Sequence, residues 1–459
     1  MPSIVQLNVS LTSAPTPNNL QRMGAFISQG ATTLPAGQYS LLTQTADLTP
    51  LLAPPLSLAS LIWSAGVVVG TSSAPIPGLT NGETFIATIA GASPAGFNGT
   101  FLVTVTGTNT FTYALAVNPG ASSASGTFTP PNQGELLAMS ATFFGQGTSR
   151  SVYVLELGAG DGNSGPTALG TWIGTNPNFF YSFLVPRSWD ATANFLALAN
   201  QFLALTAKQF FFVTTTPSTY QNYTAQQNDI WALIEAPGIP LTEFSCAAAF
   251  QASLSYAPSN TNRMTPFAFT FLFGVTPYPL QGNSALLTTL KNANVNVVGT
   301  GAEGGISNTL IQWGTTMDGR DFAWWYSVDW FQINSQQSIA NAVINGSNSP
   351  TNPLDYDQDG VNRLQDTVVG TVKNAITFGC ATGNVGRSAL DGPAFTEALD
   401  DGDFVNTDVV NAVPFKTYAQ ANPGNYKQGI YGGLTAVFIP FKGFTQIIFN
   451  INVTDLISE

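Results

Sequence analysis

The chain has 459 residues, enough for two to four domains with ample core. Its net charge of −12, with only 13 Lys and Arg, argues against a nucleic-acid surface, and the absence of His removes Ser-His-Asp, Cys-His and His-metal constellations. Apolar residues reach 44% while charged ones reach only 8%, so disorder is a poor account, and much of so neutral a surface is expected to end up against other protein.

Val5, Leu7, Val9 and Leu11 alternate with Gln6, Asn8, Ser10 and Thr12, which predicts a half-buried strand; Pro15 and Pro17 then make an extended linker. The opening MPSIVQLNVS has no basic region and no apolar block, so no secretory signal is expected and folding in a cytoplasm is. Leu51–Gly70 is uncharged, but Pro54-Pro55 breaks it, Ser57, Ser60 and Ser64 dilute it, and no Lys or Arg flanks it. A buried strand or short helix is predicted there, and no membrane insertion.

Between Glu83 and Glu135 no residue is charged. Short strands are predicted at Thr84–Ile89, Phe101–Val105, Phe111–Leu115 and Gly126–Thr129, separated by turn signals such as Ser93-Pro94 and Asn98-Gly99. Together they read as a small all-β module inserted into another domain. An α/β alternation follows: helix Gly134–Phe144, strand Ser151–Leu157, helix Ala191–Thr206 and strand Gln209–Thr214, which predicts a mixed sheet with flanking helices.

Val361, Leu364, Val368, Val372 and Ala375–Ile376 repeat at helical spacing across Val361–Phe378, with Gly379 as a stop. The run Leu434–Ile439 is followed, beyond Pro440 and Gly443, by a second alternating segment. There Ile447, Phe449, Ile451 and Val453 share one face, opposite Ile448, Asn450 and Asn452. Burying those four side chains contributes about 6–12 kcal/mol at most. Left as free edges, both end strands are aggregation hazards, so each is expected to add onto another sheet.

Candidate chemistry is sparse. Gly160, Gly162 and Gly165 match a dinucleotide fingerprint in outline, but no acidic residue follows about twenty positions on, and a strand-to-helix loop is the expected reading. No cofactor is expected. Asp355, Asp357, Asp359 and Asp366 sketch a calcium loop, with Arg363 at its ninth position and Asp in place of Glu at its twelfth. The competing reading is that Asp357 or Asp359 caps the following helix. Phe322, Trp324, Trp325, Tyr326, Trp330 and Phe331 could form a stacking platform, yet at strand spacing they suit a strand buried on both sides. Asp318, Asp321 and Asp329 beside them leave a carboxylate-only glycosidase conceivable. Asp400, Asp401 and Asp403 read as a solvated loop, and Cys246 and Cys380, 134 positions apart, as buried thiols.

Several segments, in order, resemble one known family. Ala138–Leu157 (AMSATFFGQGTSRSVYVLEL) is similar to a helix and Phe-Phe-Gly-x-Gly turn leading into a strand. Thr171–Arg187, Thr315–Ala342 with its Asp-Gly-Arg turn and Asp-Trp pair ahead of a helix, and Tyr356–Gly379 look like the segments that follow. The block around Ile89–Tyr113 is similar to a β module of many phage tail proteins. The order of these segments resembles the sheath protein of contractile-tailed bacteriophages.

That resemblance implies a mechanical, non-enzymatic subunit in the virion tail, assembled in the host cytoplasm. Its copies would stack as rings around the tail tube, exchange terminal strands with neighbours, and meet baseplate and tail terminator proteins. The expected architecture is a mixed α/β, multidomain (α+β) chain. Residues 1–20 form a strand-and-linker arm, 21–75 with 132–350 a central sheath-like domain, 76–131 the inserted all-β module, and 351–459 a C-terminal α+β domain ending in an exchanged strand. A receptor- or glycan-binding tail component is the alternative from another class.

Overall fold

A computed structural model describes residues 20–147, 150–203, 209–223, 227–279, 282–301 and 308–444. In chain order, β1 (Gly24–Ser28) and β2 (Tyr39–Leu42) come first. Next are β3 (Leu56–Ser64), β4 (Val67–Ser72), β5 (Thr84–Ala90), β6 (Gly99–Gly107), β7 (Thr110–Ala114) and β8 (Thr127–Phe128). Through the middle run α1 (Gln133–Phe144), β9 (Val152–Glu156), α2 (Ser164–Thr175), β10 (Ser182–Leu184), α3 (Ala193–Asn200), β11 (Phe210–Thr215) and β12 (Ile230–Ile234). They are followed by α4 (Ser245–Leu254), β13 (Phe271–Leu272), α5 (Ser284–Asn292), β14 (Asn296–Thr300) and β15 (Thr309–Gln312). The remainder comprises α6 (Phe322–Ser347), α7 (Gln358–Phe378), β16 (Asn384–Ser388), α8 (Gly392–Asp400), β17 (Thr407–Ala412), α9 (Phe415–Ala421), α10 (Pro423–Lys427) and β18 (Leu434–Val437).

The central strands are apolar on both faces, and strands of that kind need a covering layer on each side. Nine of them pair in the order β2-β9-β1-β10-β11-β12-β14-β15-β13. The six from β9 to β14 run parallel, and β2, β15 and β13 pair antiparallel at the margins. Alternate residues point to opposite faces. Phe26, Val154, Leu184, Phe212, Trp231 and Leu233 join one core with Met139, Phe143, Phe250, Phe322 and Tyr326. Ala25, Ile27, Leu155, Phe183, Phe211 and Ile230 join the other with Leu169, Trp172, Phe195, Leu198 and Leu290. Helices α1, α4 and α6 therefore cover one face, and α2, α3 and α5 the other.

Strands β3 to β8 close into a barrel in the order β3-β4-β7-β6-β5-β8, filled by Val68, Phe85, Val103, Phe111 and Phe128. Its first two strands, residues 56–72, lie ahead of the boundary expected at residue 76. These two strands bury Gly70 and Ser72 and expose Ile62, Val67 and Val69, so their inward face carries little apolar signal in β4. From Leu56 to Phe128 the barrel carries one charged residue, Glu83.

Two further expectations are corrected. The run from Phe322 to Phe331 is not a strand but the start of α6, because the Asp321 carboxylate accepts the Ala323 N–H at 2.7 Å and nucleates a helix. Phe322, Trp325, Tyr326 and Ile333 then fall on one buried face, a three-four spacing hidden by the density of aromatics. The helix expected at Ala191–Thr206 starts at Ala193, capped by the Thr192 hydroxyl, and ends at Asn200.

Trp231 is fully buried at the centre of the large sheet, packed on Phe212 and Phe267. Trp231→Ala is expected to cost about 3–5 kcal/mol, read as a lowered urea midpoint. Leu102→Ala, at a side chain 55% exposed on the barrel, should shift it by less than about 0.5 kcal/mol.

Candidate functional site

The C-terminal unit is built on α7. Its N-cap Asp357 accepts the Gly360 N–H at 2.9 Å, and Gly379, at φ 77°, ends it in the left-handed conformation that glycine adopts without cost. Val361, Val368, Val369 and Val372 form its buried stripe. Buried Gln365 ties the helix to the sheet beside it, donating to the Ser388 and Val410 carbonyls at 2.8 Å each. That sheet has the order β16-β17-β18, with β16 parallel and β18 antiparallel to β17. Among the described residues neither β16 nor β18 has a second strand partner, so both outer edges are open. Val405 is 68% exposed and Ile430 47%, and Leu399 and Tyr426 are exposed too. An open-edged sheet flanked by exposed apolar side chains is a template for strand addition.

After β18 the chain leaves this sheet. The Ile439 N–H donates to the buried Asp408 carboxylate at 2.7 Å, and the Phe441 N–H to the Cys380 carbonyl at 3.0 Å. Burial raises the Asp408 pKa. The end strands themselves, with Val5, Leu7, Val9 and Leu11 and with Ile447, Phe449, Ile451 and Val453, lie outside the described residues.

The sequence-derived acidic clusters do not converge. Asp357 caps α7, Asp359 sits in its first turn, and Asp366 lies on its third turn, ion-paired with Arg387 of β16. Helical rise places Asp357 and Asp366 about 13 Å apart along the axis, so the segment is helix where a calcium loop would coil. Among the described residues no group of three His, Cys, Asp or Glu could hold a metal ion. Asp318 pairs with Arg320 at 2.7 Å and accepts from the Trp325 indole, Asp321 caps α6, and Asp329 is buried and accepts the Tyr181 hydroxyl at 2.9 Å. Burial lifts the Asp321 pKa to about 6 against the pull of its backbone hydrogen bonds. Each of the three thus holds local structure.

The glycine-rich loop is explained by packing. Asp161 itself accepts the Asn163 and Ser164 N–H groups at the start of α2, supplying internally the anion that a cofactor phosphate would bring. A Cβ at Gly162 would run into the Ser188 carbonyl, and one at Gly165 into Gln29 and Trp189. Cys246 and Cys380 are both buried free thiols.

Three groups escaped the sequence reading. Buried Glu156 gathers five donors, from Ser28, Gly30, Gly158 and both the N–H and hydroxyl of Thr32, and so pins the loop after β1. Arg187 grips Glu235 with two bonds of 2.8 and 2.9 Å, lies 4.2 Å over the Phe244 ring, and faces a cleft of about 440 Å³ beside the barrel. Asp229 is buried with no hydrogen-bond partner for its carboxylate among the described residues. These partners lie far apart in sequence, so spacing gave no signal.

No family model and no curated protein matches this chain. Solved structures align with it, among them the following two. A sheath tail protein of Listeria innocua is 11% identical with a TM-score of 0.40, over 79% of this chain and 86% of that one. A sheath tail protein of Desulfitobacterium hafniense is 9% identical with a TM-score of 0.37, over 82% of this chain and 90% of that one.

Burial lifts the Asp229 pKa from 3.8 to about 8. The native state then holds this proton more tightly than the unfolded chain, so the contribution is most favourable below pH 3.8 and declines until about pH 8. Asp229→Asn should remove a slope approaching about 1.4 kcal/mol per pH unit across that window in urea unfolding. An unchanged slope would contradict the assignment. Separately, Asp357→Ala should cost about 1 kcal/mol as a lost cap, with equal melting shifts in calcium and in chelator. A calcium-dependent rise in melting temperature of the unsubstituted chain would restore the ion-loop reading.

Proposed function

We propose that this chain is the tail sheath subunit of a contractile-tailed bacteriophage, acting mechanically and without catalysis. The observation that carries the reading is the C-terminal β16-β17-β18 sheet, open at both edges among the described residues, in a chain whose two ends each hold a strand-patterned segment. The ordered likeness of four segments to sheath proteins and the 8% charge support it.

On this reading, copies assemble in the host cytoplasm as stacked rings around the tail tube, with baseplate and tail terminator proteins at the two ends. Val5–Leu11 and Ile447–Val453 add to sheets of neighbouring copies. Each ladder hydrogen bond contributes about 1 kcal/mol net, so an exchanged strand tethers subunits while their bodies slide and rotate. The extended array is the less stable state, and the baseplate releases it to the contracted one, driving the tube through the envelope.

Concentrated protein should form long hollow cylinders in negative-stain microscopy. Chains lacking residues 1–12 or 445–459 should remain folded monomers that form none. Normal cylinders from either truncation would contradict the strand-exchange reading, and compact trimers that retain glycans would favour an adhesin-like component.

A further inference from the structure

Outside the C-terminal unit, a second open edge stands out. β13 is the last strand of the nine-stranded sheet and pairs, among the described residues, with β15 alone. Phe269, Phe271 and Phe273, in and beside it, are 45%, 47% and 54% exposed. Isolated exposed apolar residues need no explanation, but three exposed Phe side chains within five residues at a sheet edge mark a contact surface. Phe269 is moreover held at φ 64°, a backbone conformation unfavourable for a bulky residue. The Gln146 amide takes both main-chain groups of Phe273, donating at 2.9 Å and accepting at 2.9 Å. By strand alternation the N–H and C=O of Phe271 face that same open side.

The course of the chain indicates what covers this edge. Past β18, residues 439–441 stay bonded to Asp408 of β17 and to Cys380 and Thr382 ahead of β16, and Gly443 then packs so closely on Pro266 that an added Cβ would stand 2.5 Å from the proline ring. Pro266 is three residues ahead of Phe269, at most about 11 Å of chain. The fifteen residues 445–459 follow directly, and their first apolar alternation begins at Ile447, four residues after Gly443. The other alternating segment, Val5–Leu11, stands nine residues or more ahead of Leu20, with Pro15 and Pro17 between them in sequence.

We infer that in the unassembled subunit residues 445–459 lie back along the open edge of β13 and cover Phe269, Phe271 and Phe273 with the apolar face of Ile447, Phe449 and Ile451. The subunit thereby hides an aromatic edge and an aggregation-prone strand against each other. A neighbour's sheet takes the segment on assembly by a swap of like for like; only this release rests on the sheath reading.

Two measurements on the full chain test the parked state. Phe271→Cys is combined in turn with Phe449→Cys and Ile451→Cys, and dilute monomer is oxidised; Cys246 and Cys380 are buried and stay out of reach. A disulfide within one chain is expected, by mass and gel mobility. Hydrogen exchange at 269–273 should be about tenfold slower in the unsubstituted monomer than in the Phe449→Asp, Ile451→Asp double variant. Links only between chains, no link at all, or equal exchange rates would each overturn the inference. Cylinder formation is scored separately: cylinders without the intrachain link sink only the parked state, and the link without cylinders sinks only the sheath reading.

Discussion

Main-chain N–H and C=O groups along the margin of a β-sheet need partners, and how this chain treats its margins shapes the rest of its structure. The barrel disposes of the problem by closing on itself through β3, β8 and β5. The three-stranded C-terminal sheet leaves both sides open among the described residues. The nine-stranded sheet, buried on both faces, ends in β2 and β13.

Charge is unevenly spread along the chain, with 16 of its 38 charged residues in 355–444. In the large domain Glu156 gathers five donors and Arg187 is matched by Glu235, and in the small sheet Asp408 is buried as well. In the barrel a single carboxylate, Glu83, is left. The net charge of −12 is thus carried almost wholly outside the barrel.

Much of the fold was legible because period and punctuation agree with it. Helix α7 was readable from its valine spacing, the Asp357 cap and the Gly379 stop, and the barrel strands from their uncharged alternation. The aromatic run at Phe322 misled because every register of it is apolar; only the short hydrogen bond at Asp321 decides for helix. The start of the barrel was missed because Ser and Gly on β3 and β4 blur the alternation. Of the candidate site, the alternating end segments lie outside the described residues, and the open edges of β16, β18 and β13 had no local signal. An edge is a property of strand order, and strand order depends on contacts between residues far apart in the chain. The spacing of Phe269, Phe271 and Phe273 was a visible sign that went unread.

The central claim is that the C-terminal segment of one copy completes the small sheet of another. Cross-linking within polymers grown from equal amounts of nitrogen-14 and nitrogen-15 protein, each carrying Val385→Cys on β16 and Phe449→Cys, tests it most directly. Mass spectrometry should find disulfides joining these positions between light and heavy chains in near-statistical proportion. Links confined to single chains, or polymers in which the two positions never join, would contradict it.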